Sequence, residues 1–467
     1  MQENSILSKQ DINNYGIIYS PNNLVNNILD LIPKEHFKNP DLRWLDIGAG
    51  CGAFSLNLYD RLLNNLINNF SNIEETRKHI IKNMIYMVEN YPYHITELKK
   101  KFTNEANILN TDFLAINNYD YDYEPFDFII GNPPYNINGK LKTPTNNKLK
   151  KSDTGKQVYV DFVYKSFELL KPNGFLNIII PSLWLKPDKA NLYNFLTTKK
   201  IDKLVCLSTT QTQKAFNYKA QTPTCYFLIE NNADENKSNK KNINQNILTI
   251  YDELNNDYIN YTLKPNYPIP INGINIVNKL LKFIHEVGYL KVYKSSTLSK
   301  KTKIENNYHE NFQYINIKTT ILSNNHPQLV INYSNIAQQF YNEPKLILAH
   351  KMYGFPFYDI SGSYGISSRD NYIILEKDYN KKDLLLIQAF LSTKTALFIF
   401  STTNYRMRYL ERYAFQFIPN INKIQNFPEL LNKNIKTRDK LIQDFFNFSQ
   451  NEREKIEKFS KNYNFFI

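Results

Sequence analysis

The chain has 467 residues, of which 42% are hydrophobic and 22% are charged, so a wholly disordered or collagen-like protein is excluded. This length predicts two or three domains. Lys and Arg (57) outnumber Asp and Glu (44), and the net charge of +13 favours a polyanionic partner.

The cysteines and the apolar runs bear on the cellular compartment. Cys51, Cys206 and Cys225 lie far apart and form no CxxC pattern, so we expect neither structural zinc nor any other metal site. No apolar run reaches the roughly 18 residues that span a bilayer. Residues 1–14 lack the apolar core of a signal peptide. These features predict a cytoplasmic protein.

The first half of the chain alternates short apolar runs with helical patterns. Such alternation predicts an α/β domain in which helices cover both faces of a mostly parallel sheet. Polar, low-complexity residues 231–246 come after the last of these runs and predict an exposed loop. The predicted strands are 43–50, 84–90, 126–132, 175–181, 203–208 and 224–230.

The second half has a different character. Beyond residue 290 the alternation gives way to short aromatic strands, and residues 437–459 predict one amphipathic C-terminal helix. About +3 of the net charge belongs to residues 1–230 and about +10 to the remainder. We therefore predict a catalytic domain over residues 1–285 and a mixed α+β domain with the C-terminal helix over residues 286–467.

A glycine cluster ends the first predicted strand and precedes a helix. Asp46 is followed by Gly48, Gly50 and Gly52, and glycines at this edge of a parallel sheet let the backbone turn tightly and approach a ligand. A NAD fingerprint, GxGxxG, is matched weakly, and a structural turn without a ligand is a further alternative. The spacing DxGxGxG instead resembles motif I of methyltransferases that use S-adenosylmethionine (SAM).

Two further acids follow the next predicted strands. Glu89 ends the strand 84–90, where a carboxylate can accept both hydroxyl hydrogens of a ribose. Asp112 follows another candidate strand and could accept the hydrogens of an adenine amino group, with Phe113 stacking on the ring. A single acid at a strand end is often a cap, but three in succession favour a nucleoside-binding edge.

The tetrapeptide Asn132-Pro133-Pro134-Tyr135 ends the strand 126–132. Its prolines make the turn rigid, and a simple strand terminator is the alternative interpretation. The Asn132 side-chain oxygen and the Pro133 carbonyl can each accept one hydrogen of a planar NH2 group. Its nitrogen lone pair is then localised for attack on a sulfonium methyl. Tyr135 offers a ring face on which a base can stack.

In this order, the motifs resemble those of the gamma-class N6-adenine DNA methyltransferases, the TaqI type of restriction–modification systems. Residues 15–29 are similar to motif X of that family, which precedes motif I in the gamma order. The resemblance implies that Tyr19, Ser20 and Pro21 lie at the cofactor, with the Ser20 hydroxyl near its carboxylate.

The same resemblance extends to the segments after the tetrapeptide. Residues 159–185 are similar to motifs V and VI, which implies that Phe162 lies against the cofactor adenine. Residues 214–230 are similar to motif VIII, in which an aromatic side chain holds the flipped base on the face opposite the tetrapeptide tyrosine. Phe216 is the expected side chain, with Tyr218 as the alternative.

The family resemblance implies a fold and an activity. The fold is a Rossmann-like SAM-dependent methyltransferase with a mostly parallel seven-stranded sheet, followed by a target-recognition domain. SAM is the implied cofactor, double-stranded DNA the implied partner, and the adenine is expected to be flipped out of the duplex. Similar tetrapeptides serve RNA adenine and protein glutamine methyltransferases, and a non-enzymatic nucleic-acid-binding protein is a further alternative. The basic second half favours DNA.

Basic side chains in two segments are candidates for DNA contacts. Lys140 and Lys142 belong to a long segment after the tetrapeptide that could follow a phosphate backbone. Arg406, Arg408 and Arg412 alternate with aromatic residues and suit phosphate or guanine contacts. For both segments the alternative is an ordinary solvated surface.

The sequence shows no sign of a nuclease. About fourteen residues precede the motif X segment, and no PD…ExK pattern stands out elsewhere. We therefore expect a monomeric modification enzyme that does not cleave DNA, with a separate cognate restriction endonuclease as a candidate partner.

Overall fold

A computed structural model gives the fold, and the residues it describes are 19–117, 124–136, 157–232, 247–323, 326–351, 354–406 and 409–461. The chain divides into two units. The first runs to Tyr251 and includes Thr262–Lys264. The second comprises Asp252–Tyr261 and the chain from Pro265 onward.

The larger sheet is built from β1 (Trp44–Asp46), β2 (Ile85–Glu89), β3 (Asn107–Asn110), β4 (Phe126–Gly131), β5 (Leu170–Pro181), β6 (Lys200–Leu207), β7 (Thr224–Glu230), β8 (Ile247–Asp252) and β9 (Asp257–Thr262). Their order is β3-β2-β1-β4-β5-β7-β6-β8-β9. The pairings among β1 to β5 are parallel, as is that of β6 with β8, whereas β7 is antiparallel to β5 and β6. The sheet has nine strands instead of the expected seven because residues 247–262 add two.

Helices cover this sheet through apolar stripes. Leu58, Leu62 and Leu66 are buried at every fourth position of one helix, which places them on a single face. Each such leucine stabilises the fold by roughly 1.5–3 kcal/mol. The helices of the first unit are α1 (Asn22–Leu29), α2 (Ala53–Leu66), α3 (Ile73–His79), α4 (Pro92–Phe102), α5 (Tyr159–Leu169), α6 (Leu192–Thr197) and α7 (Thr209–Ala215), with helical turns at Lys34–Lys38, Ile80–Met84, Phe113–Ala115 and Ser182–Leu185.

The second unit combines two small sheets with helices. Its strands are β10 (Tyr293–Lys294), β11 (Ile304–Glu305), β12 (Tyr314–Ser323), β13 (His326–Ser334), β14 (Lys345–Ala349), β15 (Phe357–Asp359), β16 (Gly365–Ile366) and β17 (Asn371–Leu375), in the orders β10-β17-β14-β15 and β11-β13-β12-β16. Its helices are α8 (Ile274–Val287), α9 (Lys381–Leu391), α10 (Lys394–Ser401), α11 (Ile435–Phe445) and α12 (Gln450–Ser460), with turns at Glu376–Asp378, Arg412–Phe417 and Ile421–Lys423.

The boundary between the units precedes helix α8, so the division predicted at residue 285 is too late. Helix α8 packs within the second unit, where a β-carbon at its N-cap Gly273 would lie 2.8 Å from Phe398 Cε1. Lys279 Nζ on the same helix donates to Glu452 Oε2 at 2.6 Å. The packing partner of this helix could not be read from the sequence.

The predicted single C-terminal helix is wrong, because the structure has α11 and α12 instead. Asn447 between them has a left-handed φ of 53°, which no helix continues through. Ser449 then begins α12 with a capping box: its Oγ accepts from Glu452 N at 3.3 Å, and its N donates to Glu452 Oε2 at 2.7 Å.

No single helix within the described ranges is long and apolar enough to cross a membrane. Helices α9 and α10 reach that length and composition only as a pair, and they are bent by 74°.

Candidate active site

Three parallel strands bring the predicted motifs to one edge of the sheet. β1 lies between β2 and β4, and its last residue Asp46 is in register with Met87 and Ile130. The loop after β1 is tied to both neighbours, since Ile47 N donates to Ile130 O at 3.1 Å and Ala49 N to Val88 O at 3.0 Å.. The glycine loop, the acid of β2 and the tetrapeptide after β4 are therefore adjacent.

The glycine loop needs glycine at two positions. Gly50 and Gly52 have left-handed φ values of 53° and 90°. A β-carbon at Gly52 would lie 3.0 Å from Leu98 Cδ2, whereas one at Gly50 would meet nothing within 4 Å. A β-carbon at Gly48 would lie 3.7 Å from the carbonyl oxygen of Asn132. The space beside Gly50 is thus open for a ligand.

Asp46 is buried at the base of this loop. Its Oδ2 accepts from Ser55 Oγ at 2.7 Å, while its Oδ1 has no hydrogen-bond partner within the described part of the chain. Burial raises the pKa of Asp46 to about 7, although the Ser55 hydrogen bond lowers it. The carboxylate thus links the start of α2 to the end of β1.

Glu89 is engaged by donors of the protein itself. Its Oε1 accepts from the backbone N–H groups of Asn90 and Tyr91 at 2.9 and 2.8 Å, and its Oε2 accepts from Gly50 N at 2.7 Å. His94 Nδ1 lies 3.5 Å from Oε2. A carboxylate has about four acceptor positions, and these three donors occupy most of them, so the binding of both ribose hydroxyls by Glu89 stays a prediction.

His94 links Glu89 to the segment before α1. Its Nε2 lies 3.2 Å from Tyr19 Oη, and Cys51 Sγ lies 4.0 Å from the same hydroxyl. Burial by itself would lower the pKa of His94, but Cys51 and Glu89 raise it to about 9. Burial would raise the pKa of Glu89, but His94 and the backbone N–H groups lower it overall. The pair is therefore an imidazolium beside a carboxylate.

The third predicted acid remains available. Asp112 is exposed, and its Oδ1 accepts from Leu114 N at 3.0 Å, which caps a short helical turn. Phe113 and Phe162 are both buried and stack on each other, with ring centroids 4.9 Å apart and planes 28° apart. Contact of Phe113 or Phe162 with the cofactor adenine stays a prediction.

The Asn132 amide is held by one hydrogen bond. Its Nδ2 donates to Ser20 Oγ at 3.1 Å. Its Oδ1 is shielded from solvent and has no hydrogen-bond partner among the described residues. An unpaired buried acceptor costs about 1–3 kcal/mol, so this oxygen is suited to accept a hydrogen from a ligand.

Tyr135 is fixed next to this amide. Its carbonyl accepts from Val158 N at 3.2 Å, and its ring meets Tyr159 edge-on at a centroid distance of 6.5 Å. The hydroxyl oxygen is buried without a partner in the described ranges, and this burial raises the pKa of Tyr135. The ring itself is only half-buried, which leaves part of it able to contact a base.

The prediction that Phe216 stacks on a base is wrong. Phe216 caps α7 and is 1% exposed, because it packs in the hydrophobic core of the first unit. Tyr218, the alternative, is 71% exposed and has a φ of 63°, after Asn217 with a φ of 49°. A bulky residue in this region is strained.

The predicted DNA contacts are described only in part. Arg406 and Arg412 are exposed, and Arg406 Nε lies 3.9 Å from Glu411 Oε1. Lys140, Lys142 and Arg408 lie outside the described residues.

His94 and Ser55 were missed as members of this site. Ser55 falls in the first turn of α2, nine positions after Asp46. Pro92 at the start of α4 places His94 in the first turn of a helix just after Glu89. That helix start was a usable signal, but a lone histidine is more often an ordinary core residue.

Part of the chain is similar to proteins of restriction-modification systems. Residues 44–216 match the model of the Eco57I restriction-modification methylases. The type II restriction enzyme and methyltransferase RM.Eco57I of Escherichia coli is 32% identical over 132 residues, which are 26% of this chain and 13% of that protein. The type II methyltransferase M.BstVI of Geobacillus stearothermophilus is 28% identical over 192 residues, 37% of this chain and 34% of that protein. The chain thus spans about a third or less of these relatives.

Solved structures of restriction-modification enzymes are also similar. The type IIL enzyme MmeI in complex with DNA has a TM-score of 0.49 and 13% identity, covering 97% of this chain and 81% of that chain. The M protein of the type I restriction enzyme EcoKI has a TM-score of 0.36 and 16% identity, covering 50% of this chain and 48% of that chain.

Proposed function

We propose, from the match of residues 44–216 to the model of the Eco57I restriction-modification methylases, that the chain is a site-specific DNA methyltransferase. It transfers the methyl group of SAM to N6 of an adenine in duplex DNA. The observation that carries this proposal is the Asn132 amide, whose unpaired Oδ1 lies after β4, next to the glycine loop.

The residues present fit SAM. The space beside Gly50 is open, and Asp112 is exposed with one oxygen engaged in a cap. Asp112 would accept from the adenine amino group, the Ser20 hydroxyl would donate to the carboxylate, and Glu89 would order the loop through Gly50 N. When bound, SAM supplies an electrophilic methyl group on a sulfonium.

The chain positions the target amine for this transfer. Asn132 Oδ1 accepts one of its hydrogens and the Pro133 carbonyl the other, which draws both hydrogens out of the ring plane and localises the nitrogen lone pair. No strong base is needed in this step, because positioning and acceptor dipoles supply the activation. The methylated nitrogen then loses a proton to solvent.

The target base must leave the duplex to reach Asn132. We assign Tyr135 to one face of the flipped base and Tyr218 to the other, since Tyr218 is exposed and Phe216 is buried. Arg406 and Arg412 in the second unit would contact DNA outside the catalytic unit, as phosphate ligands or at guanine edges.

Transfer of labelled methyl groups tests the proposal. The protein is incubated with tritiated SAM and, separately, duplex DNA, RNA or a bacterial protein extract, and labelled DNA is sequenced for N6-methyladenine. We expect labelled adenine within one recurring sequence. Label confined to RNA or to glutamine would overturn the DNA assignment.

A pair of variants tests the role of Asn132. Asn132→Ala should lower the transfer rate at least 100-fold while SAM binding, measured by calorimetry, changes less than about three-fold. Asn136→Ala, the same change four residues later, should retain activity. Equal activity of the two variants would disprove the assignment.

A further inference from the structure

One hydrogen bond joins the segment before α1 to the catalytic tetrapeptide. Asn132 Nδ2 donates to Ser20 Oγ at 3.1 Å, and it leaves Asn132 Oδ1 without a partner among the described residues. A side-chain amide presents a donor at one end and an acceptor at the other. The end that Ser20 takes therefore decides which end meets the target base.

The hydroxyl alone does not determine this orientation. A serine hydroxyl can accept from an amide nitrogen or donate to an amide oxygen, so a free Ser20 is compatible with both orientations of Asn132. Once the Ser20 hydrogen is donated to another acceptor, its oxygen can only accept. Asn132 must then turn its nitrogen to Ser20, as is observed, which leaves its oxygen for the base.

Ser20 is held in place from both sides. Tyr19 Oη lies 3.2 Å from His94 Nε2. Pro21 is the N-cap of α1, and its carbonyl accepts from Val25 N at 3.1 Å. Ser20 therefore lies between the Tyr19–His94 contact and the start of α1.

We propose that Ser20 is a positioning residue that sets target specificity: when its hydrogen is donated to the cofactor carboxylate, its oxygen fixes the Asn132 amide so that an amino group is accepted and a carbonyl is rejected. This inference rests on the proposed function. It adds that binding of the cofactor changes the selectivity for the target base, because the Ser20 hydroxyl contacts both the cofactor carboxylate and Asn132.

Binding measurements without turnover test this coupling. The ligands are duplexes with adenine or hypoxanthine at the target position, because hypoxanthine carries a carbonyl oxygen in place of the amino group. Each duplex is titrated into the protein in the presence of one of two cofactor analogues. S-adenosylhomocysteine keeps the carboxylate but has no methyl group to transfer, and 5′-methylthioadenosine lacks the carboxylate. The readout is the ratio of the Kd values of the two duplexes, and differences in base-pair strength cancel when this ratio is compared between the two analogues.

For the wild-type protein, the ratio of the hypoxanthine Kd to the adenine Kd should be at least about ten-fold larger with S-adenosylhomocysteine than with 5′-methylthioadenosine. The reason is that a mispaired buried amide costs about 1–3 kcal/mol. Ser20→Ala should give the same ratio with both ligands, and Ser20→Thr, which keeps the hydroxyl, should restore the dependence. Ser166→Ala removes another buried hydroxyl, one that donates to Phe162 O at 2.8 Å, and should behave as wild type.

Two results would overturn the inference. One is a wild-type Kd ratio that is the same with and without the cofactor carboxylate, a measurement that does not depend on the folding of any variant. The other is a Ser20→Ala protein that keeps the wild-type dependence. Failure of the proposed function is recognised separately, because wild-type protein would then transfer no label to adenine in DNA.

Discussion

Gly131 packs its bare α-carbon against the carboxylate of Asp46. A β-carbon at Gly131 would lie 3.2 Å from Asp46 Oδ1 and 3.1 Å from Ile47 Cγ1. The residue also has a φ of 140°, which side chains rarely adopt. The end of β4, and with it the tetrapeptide, thus approaches the end of β1 more closely than any other residue type would allow.

Substitution of Gly131 should disturb both motifs at once. Gly131→Ala introduces the unfavourable φ and the close contacts together, so we expect the free energy of unfolding to fall by about 2–4 kcal/mol. Urea denaturation measures this loss.

Gly288→Ala is the matched control. Gly288 also has a positive φ, of 76°, but a β-carbon there would meet nothing within 4 Å. This variant should lose only about 1 kcal/mol. If the two variants are equally destabilised, packing against Asp46 is not what requires glycine at position 131.

The predicted parts of the site are those that depend on strand order. Asp46 and Glu89 are the last residues of parallel strands and Asn132 follows another, and parallel strands that neighbour one another end at the same edge. The sequence therefore located the edge without any knowledge of side-chain directions.

The errors depend on local side-chain direction and on tertiary packing. Phe216 and Tyr218 stand two residues apart in a turn after α7, and the sequence does not indicate which ring points to the core. Likewise, the sequence does not show that nearby N–H groups occupy most of the acceptor positions of Glu89. Neither the turn nor the path of the loop could be read from spacing.

His94 should make the stability of the protein depend on pH. Its pKa is raised from 6.5 to about 9, so its contribution is complete below pH 6.5 and is lost as the pH rises through 9. In His94→Gln this loss should be absent. The wild type should therefore lose up to roughly 3 kcal/mol more than the variant between pH 6.5 and 9.5.

Urea denaturation at half-unit pH intervals measures the difference. His309→Gln in the second unit, whose ring meets Phe312 and accepts from Asn311 N, provides the same chemical change away from Glu89. Parallel pH profiles of the wild type and His94→Gln would contradict the assigned ion pair.

Tyr218 offers a variant in which folding and base binding should separate. Tyr218→Gly relieves a left-handed φ of 63° and removes a ring that is 71% exposed, so we expect the free energy of unfolding to change by less than about 1 kcal/mol. Loss of base stacking should lower the single-turnover methylation rate about 10- to 100-fold.

The fluorescence of 2-aminopurine at the target position reports the flipped base directly. Tyr218→Phe keeps the ring and should retain the wild-type signal and rate. Full activity in Tyr218→Gly would show that another side chain holds the base.

Arg406 should contribute to DNA affinity through a phosphate. Its guanidinium is exposed, and the carboxylate of Glu411 lies 3.9 Å away, far enough to leave the charge only partly neutralised. Arg406→Gln should weaken binding to every DNA sequence and reduce the slope of log affinity against log salt by about 0.9, the value for one phosphate contact.

Lys282→Gln, on the exposed side of α8, removes one charge as well and serves as the control for net charge alone. A salt slope in Arg406→Gln equal to that of the wild type would exclude a phosphate contact. If the variant instead loses affinity only through one base pair of the recognition site, Arg406 contacts a guanine edge.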